Sequence, residues 1–193
     1  MNQRRFARLV TEVLAPAPVA AALLLLIAWH STSSVLEAAW WGFLTVLFTV
    51  LIPLLYLLYG VRRRRFTDHH VRLRQQRPLP LGVAIVSVLV DVVLLLIFGA
   101  PRELLALVVA MAVGLGISTL ITFVWKISIH VAVVAGAVTI LVIVFGPMFA
   151  LFAPLVALVV WARVEVGDHT PGQVAAGAME GIAVAAIVFT MLR

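Results

Sequence analysis

Long apolar segments alternate with short polar ones along this chain. The apolar segments run roughly over 13–30, 36–59, 80–99, 104–125, 129–145, 148–162 and 172–192. Crossing the hydrocarbon core of a bilayer takes about 20 apolar residues, and a helix satisfies its own backbone hydrogen bonds there. The pattern therefore predicts an all-α fold, a polytopic transmembrane helical bundle of about 6–7 spans, in a single domain over residues 1–193.

The fifth and sixth apolar segments are short and are separated by Gly146 and Pro147. This dipeptide favours a tight turn between two helices. A single long helix kinked at Pro147 is the alternative. The hairpin is the preferred interpretation, because the kinked helix would be about 50 Å long.

Composition agrees with a membrane protein. The chain is 64% hydrophobic and 11% charged, with a mean hydropathy of +1.19, and it has no cysteine. Disulfides, thiolate metal sites and cysteine nucleophiles are therefore excluded. The net charge of +6 is explained by topology and lipid headgroups rather than by nucleic acid.

Positive charge is concentrated on one predicted face of the bundle. If the spans alternate in direction, only Arg102 and Arg193 of the 14 Lys and Arg residues fall on the opposite face. The other twelve are Arg4, Arg5, Arg8, Arg62, Arg63, Arg64, Arg65, Arg72, Arg74, Arg77, Lys126 and Arg163. Short basic loops stay in the cytoplasm, so we expect a multi-pass protein of the cell membrane with this face cytoplasmic.

Three polar islands interrupt the apolar pattern, all on the basic face. They cover residues 68–78, 126–130 and 163–173. Arginine forks match phosphate oxygens, and helix starts such as those at Ser128 and Thr170-Pro171 attract anions. Histidines beside such a cradle, His130 and His169, can act as nucleophile and general acid. The islands together predict one phosphate-handling site.

Ionisable and small residues also occur inside the spans. Asp91 and Glu180 lie in apolar segments, where carboxyl groups are costly and usually functional or paired. Glu180 lies two helical turns after Gln173 on the same face, which suggests a supporting role. Four intramembrane glycines are expected to permit close helix packing; they are Gly114, Gly116, Gly136 and Gly177.

The islands resemble the three motifs of the type 2 phosphatidic acid phosphatase superfamily. Ala162-Arg163, five residues and His169 resemble the third motif, with Gln173 in the place of its aspartate. Ser128-Ile129-His130 resembles the second motif, which is proline-serine-glycine-histidine. Arg77-Pro78 matches the end of the first motif, whose leading lysine falls on His70.

The resemblance implies a membrane lipid phosphate or diphosphate phosphatase that uses no metal and no cofactor. It implies that His169 forms a phosphohistidine and that His130 protonates the leaving group. The residues implied to bind phosphate are Arg77, Lys126, Ser128 and Arg163. Supporting roles fall to His70, Arg74, Gln173 and Glu180. The implied partners are a lipid phosphate or polyprenyl (di)phosphate substrate and membrane lipids.

Two other functions stay open at this stage. A non-catalytic lipid-headgroup binder or a transporter is favoured by Gln173, because an amide supplies no charge to the histidine. An intramembrane prenyltransferase-like enzyme is suggested by Asp68 before Arg77-Pro78, although such enzymes need several aspartates to hold magnesium.

Overall fold

The computed structural model describes residues 2–67, 71 and 73–193, and the regular structure in these ranges is entirely helical. The α-helices are α1 (Gln3–Val13), α2 (Pro16–His30), α3 (Val35–Val46), α4 (Ile52–Arg62), α5 (Pro78–Phe98), α6 (Arg102–Val124), α7 (Ile129–Phe145), α8 (Ala153–Glu165), α9 (Pro171–Val184) and α10 (Thr190–Leu192). Two π-helical segments, Leu47–Leu51 and Ala185–Phe189, join α3 to α4 and α9 to α10. Short 3₁₀ helices cover Arg74–Gln76 and Pro147–Phe152.

The predicted all-α membrane fold is confirmed at the level of helix type and apolarity. In the described chain, five helices are long and apolar enough to cross a membrane: Val35–Arg62, Arg74–Phe98, Arg102–Val124, Pro147–Glu165 and Pro171–Leu192. A sixth crossing is reached if α1 and α2, which are bent by 41° at their junction, count as one. The apolar helix α7 has 17 residues and falls below that length.

Helix α1 differs from the expectation drawn from the sequence, in which the first apolar segment began at residue 13 and Arg4, Arg5 and Arg8 lay in a basic connection before it. Asn2 accepts a hydrogen bond from the backbone N–H of Arg4 and caps the helix. Buried positions at Ala7, Val10 and Thr11 recur at helical spacing and pack against α8. Arginines on the other faces obscure this short period in the sequence, so the helix was not predicted.

The turn at Gly146 is a hairpin, as expected. Gly146 has φ +97°, a left-handed conformation that glycine adopts readily. The 3₁₀ helix Pro147–Phe152 follows it, and α8 then packs back against α7. A continuous kinked helix would separate α7 from α8, so the alternative interpretation is wrong.

Polar contacts sort the connections onto two ends of the bundle. At one end Nε2 of His30 lies 3.8 Å from Oε2 of Glu103, and the Arg102 side chain donates to the Leu192 carbonyl. At the other end Arg74 donates to the Phe123 carbonyl at 2.9 Å. The second end also holds the turns at 125–128 and 166–170, which a hydrogen bond from Lys126 to the Asp168 carbonyl connects. The three polar islands therefore share one end, as far as they are described.

Close packing of α7 against α9 brings two of these islands together. A methyl group added at Gly177 would lie 2.5 Å from the Ser128 carbonyl oxygen, and one at Gly181 would lie 2.0 Å from that of Ala132. Real Cβ atoms do not approach so closely, so glycine is required at both positions. The packing role predicted for Gly177 is confirmed; Gly181 was missed.

The other three glycines differ among themselves. A methyl group added at Gly136 would lie only 3.2 Å from the carbonyl oxygen of Gly181, which confirms the packing role of Gly136. A methyl at Gly114 would have only an ordinary contact with Val184, at 3.7 Å, and one at Gly116 would meet nothing within 4 Å. The packing prediction was therefore wrong for Gly116, because that face of α6 points away from its neighbours.

Candidate active site

The turn between α8 and α9 is built on Arg163. Its Nη1 lies 3.0 Å from Oδ2 of Asp168, and both side chains are buried. The Arg163 carbonyl accepts hydrogen bonds from the backbone N–H groups of Asp168 and His169. Gly167, with φ +80°, lets the chain reverse between Arg163 and Asp168. The ion pair therefore determines where His169 emerges from the turn.

His169 is oriented by the start of the next helix. Thr170 is the N-cap of α9, Pro171 is its first residue, and Gln173 completes a capping box, which confirms the predicted helix start. Gln173 Oε1 accepts from the Thr170 backbone N–H at 3.2 Å and lies 3.1 Å from His169 Nδ1. One amide oxygen serves both the helix cap and the histidine.

This arrangement defines the tautomer of His169. The Thr170 N–H can only donate, so the atom facing it must be the amide oxygen of Gln173. That oxygen can only accept, so Nδ1 of His169 carries the proton. In the neutral ring the lone pair then lies on Nε2, which is the nitrogen able to attack an electrophile.

Burial and positive charge keep His169 neutral. Desolvation lowers the pKa of His169 most strongly, followed by the charges of Arg163, Lys126 and Arg77, to about 3 from an ordinary value of 6.5. The hydrogen bond to Gln173 opposes this shift and raises the pKa. One cation from each of the three islands thus acts on the imidazole of His169.

Backbone carbonyls hold two of these cations in place. Lys126 Nζ donates to the Asp168 carbonyl at 2.6 Å, which links the second island to the third. Arg77 donates through Nε to the Val71 carbonyl and through Nη1 to the Ile127 carbonyl. Arg77 therefore joins the first island to the second and is almost wholly buried.

The start of α7 supplies the remaining polar groups. Ser128 is its N-cap, in agreement with the helix start predicted there, and its backbone N–H donates to the Gln173 carbonyl at 3.3 Å. The Ser128 hydroxyl is fully buried and has no hydrogen-bond partner among the described residues. His130 is buried in the first turn of the helix. Backbone contact thus brings the serine of one island against the glutamine of another.

A cavity of about 370 Å³ opens from this cluster into the bundle. Arg77, His130 and His169 lie at its polar end, and most of its other walls are aliphatic. The aliphatic side chains include Leu54, Leu57, Leu81, Val88, Leu115 and Val184. The cavity therefore joins a cationic end to an apolar interior contributed by most of the membrane helices.

Two carboxyl groups inside the bundle have hydroxyl partners. Ser118 Oγ donates to Glu180 at 2.8 Å, and both residues line the cavity. Thr49, in the first π-helical segment, donates to Asp91 Oδ2 at 2.8 Å and also lines the cavity. The structure thus gives Asp91 the partner that the sequence did not reveal. Ser118 and Thr49 were missed because isolated hydroxyl residues in apolar helices carry no distinguishing pattern.

The predicted site residues fall into four groups. Arg77, His130, His169 and Glu180 line one cavity. Lys126, Ser128, Arg163 and Gln173 surround the polar end without belonging to the cavity wall. Arg74 is exposed and joins the 3₁₀ turn to the end of α6. His70 and Asp68 lie outside the described residues.

Arg163 lies beside the cavity rather than in its wall. The residue is 1% exposed, and its guanidinium contacts Asp168. Its charge acts on His169, and its backbone holds the turn. Asp168 is the ion-pair partner of Arg163 that the sequence did not reveal; an Arg and an Asp five residues apart across a glycine turn were the available signal.

Comparisons with protein-family models, with curated proteins and with solved structures found no match for this chain. Within residues 2–67, 71 and 73–193 no group of three His, Asp or Glu side chains has an arrangement that could hold a metal ion.

Proposed function

We propose that this protein is a membrane lipid phosphate or diphosphate phosphatase that forms a phosphohistidine. The observation that carries the proposal is the cavity, which joins Arg77, His130 and His169 to apolar walls within the bundle. A phosphoryl group suits the cationic end, and a hydrocarbon chain suits the apolar part. A lipid phosphate contains both groups in one molecule.

The chemistry follows from the tautomer of His169. Its Nε2 attacks phosphorus, a P–N bond forms, and the P–O bond to the leaving group breaks. His130 gives a proton to the departing oxygen. Water then attacks the phosphohistidine, returns a proton to His130 and releases inorganic phosphate. The positive charges of Arg77 and Lys126 stabilise the charge on the transferring group.

The low pKa of His169 suits a nucleophile that must begin neutral. An incoming phosphate dianion offsets the three nearby cations that lower this pKa. The imidazole therefore gains basicity when the substrate binds. Gln173 supports the positive charge of the intermediate less well than a carboxylate would, so we expect slow formation of the phosphohistidine.

A specific observation favours the second candidate, a non-catalytic headgroup binder or a transporter. His169 is hydrogen-bonded to a neutral amide rather than to a carboxylate. Such a site can hold a phosphate without cleaving its ester bond. Turnover distinguishes the two functions, since a binder retains lipid phosphate and releases no inorganic phosphate.

The test is a substrate screen with the purified protein. Phosphatidic acid, phosphatidylglycerol phosphate and polyprenyl mono- and diphosphates are supplied in detergent, and released phosphate is measured with and without EDTA. We expect release from at least one lipid phosphate, unaffected by EDTA and absent in His169→Ala. Binding without release in every case would favour the non-catalytic candidate, and EDTA-sensitive turnover would contradict the proposed chemistry.

We further propose that the site faces the cytoplasm in a multi-pass protein of the cell membrane, with α7 as an additional, short span. The support is the excess of Lys and Arg at the site end. Because the chain has no cysteine, single cysteines in the 66–76 connection and after Arg193 report sidedness directly. Labelling of the 66–76 cysteine from outside intact cells would show that the site faces outward and would contradict the proposed orientation.

A further inference from the structure

Helix α1 presents three different faces around its axis. Successive residues are rotated by about 100° in an α-helix, so positions three and four apart share a face. Ala7, Val10 and Thr11 form the buried face. Phe6 and Leu9 belong to a second face, apolar but outside the protein interior, with Val13 one turn further along.

The third face is basic. Arg4, Arg5 and Arg8 are all exposed, and Glu12 lies at the end of the same face. Three arginines and one glutamate give this face a net charge of +2, from 3 − 1. A helix with adjoining apolar and arginine-rich faces lies in the plane of a membrane interface, with its apolar side toward the acyl chains.

The buried face of α1 packs on the residues that carry the candidate site. Ala7 and Val10 belong to a cluster that contains Val131, Ala162 and Val174. These three residues directly adjoin His130, Arg163 and Gln173 in the chain. Phe6 also contacts the Trp161 ring, with the ring centroids 5.8 Å apart. α1 is thus a wall behind two of the three islands.

We propose that α1 binds the anionic headgroups of the leaflet on the site side, and that this binding restrains the turn carrying His169. The occupant is a lipid surface, because the arginines lie beside exposed apolar side chains that need acyl chains as neighbours. A soluble anion would satisfy the arginines and leave Phe6, Leu9 and Val13 in water. The inference does not depend on the proposed phosphatase activity.

The test measures amide hydrogen exchange of the full chain in nanodiscs. Discs of phosphatidylcholine alone are compared with discs that also contain phosphatidylglycerol, at the same ionic strength. A basic residue near an anionic surface contributes about fivefold to the association constant. We expect α1 amides to exchange at least about fivefold more slowly with the anionic lipid, and residues 166–174 to slow as well.

Charge variants locate the effect. Arg4→Gln/Arg5→Gln/Arg8→Gln should abolish the slowing in both segments. Arg62→Gln/Arg64→Gln/Arg65→Gln is the matched control, since it removes the same charge from exposed positions at and just after the end of α4 and should preserve the slowing. Amides of α6 report whether each variant is folded, because α6 belongs to the other core cluster.

Several outcomes would overturn the proposal. Equal exchange of the α1 amides in both kinds of disc would exclude headgroup binding. Equal loss of the slowing in both triple variants would show that general surface charge, not α1, causes it. Slowing produced by inorganic phosphate in phosphatidylcholine discs would mean that a free anion suffices. Slowing of α1 without slowing of residues 166–174 would exclude the link to the site. None of these readouts requires turnover.

Discussion

His169 Nδ1 lies 3.1 Å from Oε1 of Gln173, the same oxygen that caps helix α9 through the Thr170 N–H. The orientation of the candidate nucleophile therefore depends on a helix cap. Neutral groups on both sides of this hydrogen bond distinguish the site from a histidine–carboxylate pair. Changes at either residue test the proposed chemistry most directly.

Removal of each histidine should have a different effect. His169→Ala should reduce phosphate release to the uncatalysed rate, because no phosphohistidine can form. His130→Ala should keep slow activity, reduced by about 10²–10⁴-fold, and the loss should be smaller for lipid analogues with acidic leaving groups. Initial rates on a leaving-group series provide the measurement. His30→Ala, at the other end of the bundle, is the control, and full activity in His169→Ala would end the assignment.

Gln173→Asp should increase the rate of phosphohistidine formation. The new carboxylate stabilises the positive charge that develops on the imidazole and raises the pKa of His169. Single-turnover phosphate release in wild type and variant measures this step. Gln173→Asn keeps the amide on a shorter side chain and should not accelerate the reaction. An unchanged or slower reaction in Gln173→Asp would contradict the prediction.

His169 should remain neutral through the mildly acidic range. Its pKa is about 3, so a histidine NMR titration of the detergent-solubilised protein should show no protonation of this ring between about pH 8 and 5. The signal is assigned by its absence from His169→Gln. Lys126→Met should raise the pKa of His169, since it removes one nearby cation. A wild-type midpoint near 6.5 would contradict the electrostatic description.

The same shift predicts how folding stability depends on pH. The folded-state pKa of His169 is below the ordinary value, so the unfolded chain binds a proton first as the pH falls. The stabilising contribution of neutral His169 is therefore present above about pH 6.5 and is lost progressively toward pH 3. Thermal unfolding in detergent should show a smaller fall over this range in His169→Gln. Equal slopes in the two proteins would contradict the prediction.

Asp168→Asn should destabilise the protein more than the double change Arg163→Gln/Asp168→Asn. The single variant leaves the buried Arg163 charge without its carboxylate, and breaking a buried ion pair typically costs about 3–5 kcal/mol. The double variant removes both charges, so part of this loss should be recovered. Unfolding of wild type, Arg163→Gln, Asp168→Asn and the double variant in a double-mutant cycle gives the coupling energy. Additive effects would show that the pair contributes little.

Gly181→Ala should disrupt the contact between α7 and α9. Its methyl would lie 2.0 Å from the Ala132 carbonyl oxygen, so the helices must separate, at a cost of about 1–3 kcal/mol or more. Gly116→Ala is the control, because a methyl there meets nothing within 4 Å. That change should be neutral or stabilising by about 0.5–1 kcal/mol. A lower melting temperature for Gly181→Ala alone is expected, and similar values for both variants would exclude the packing role.

Local features of this protein were predictable because their partners lie within a few residues. The cap at Thr170, Pro171 and Gln173 requires only side chains from one helical turn, and the left-handed turn at Gly146 requires only the absence of a Cβ. The apolar segments likewise predicted the membrane helices. The common end of the islands followed from counting helices that reverse direction at each connection.

The sequence by itself therefore determined the apolar helices, the cap of α9 and the end at which the charges gather. The tertiary structure alone decided that Arg163 pairs with Asp168 and that Lys126 reaches the Asp168 carbonyl. It also decided that α1 packs behind the site and that one cavity joins His169 to apolar walls. These contacts depend on how closely α7 approaches α9, which Gly177 and Gly181 permit. Periodicity along a chain reports which face of a helix is buried, but not which partner buries it.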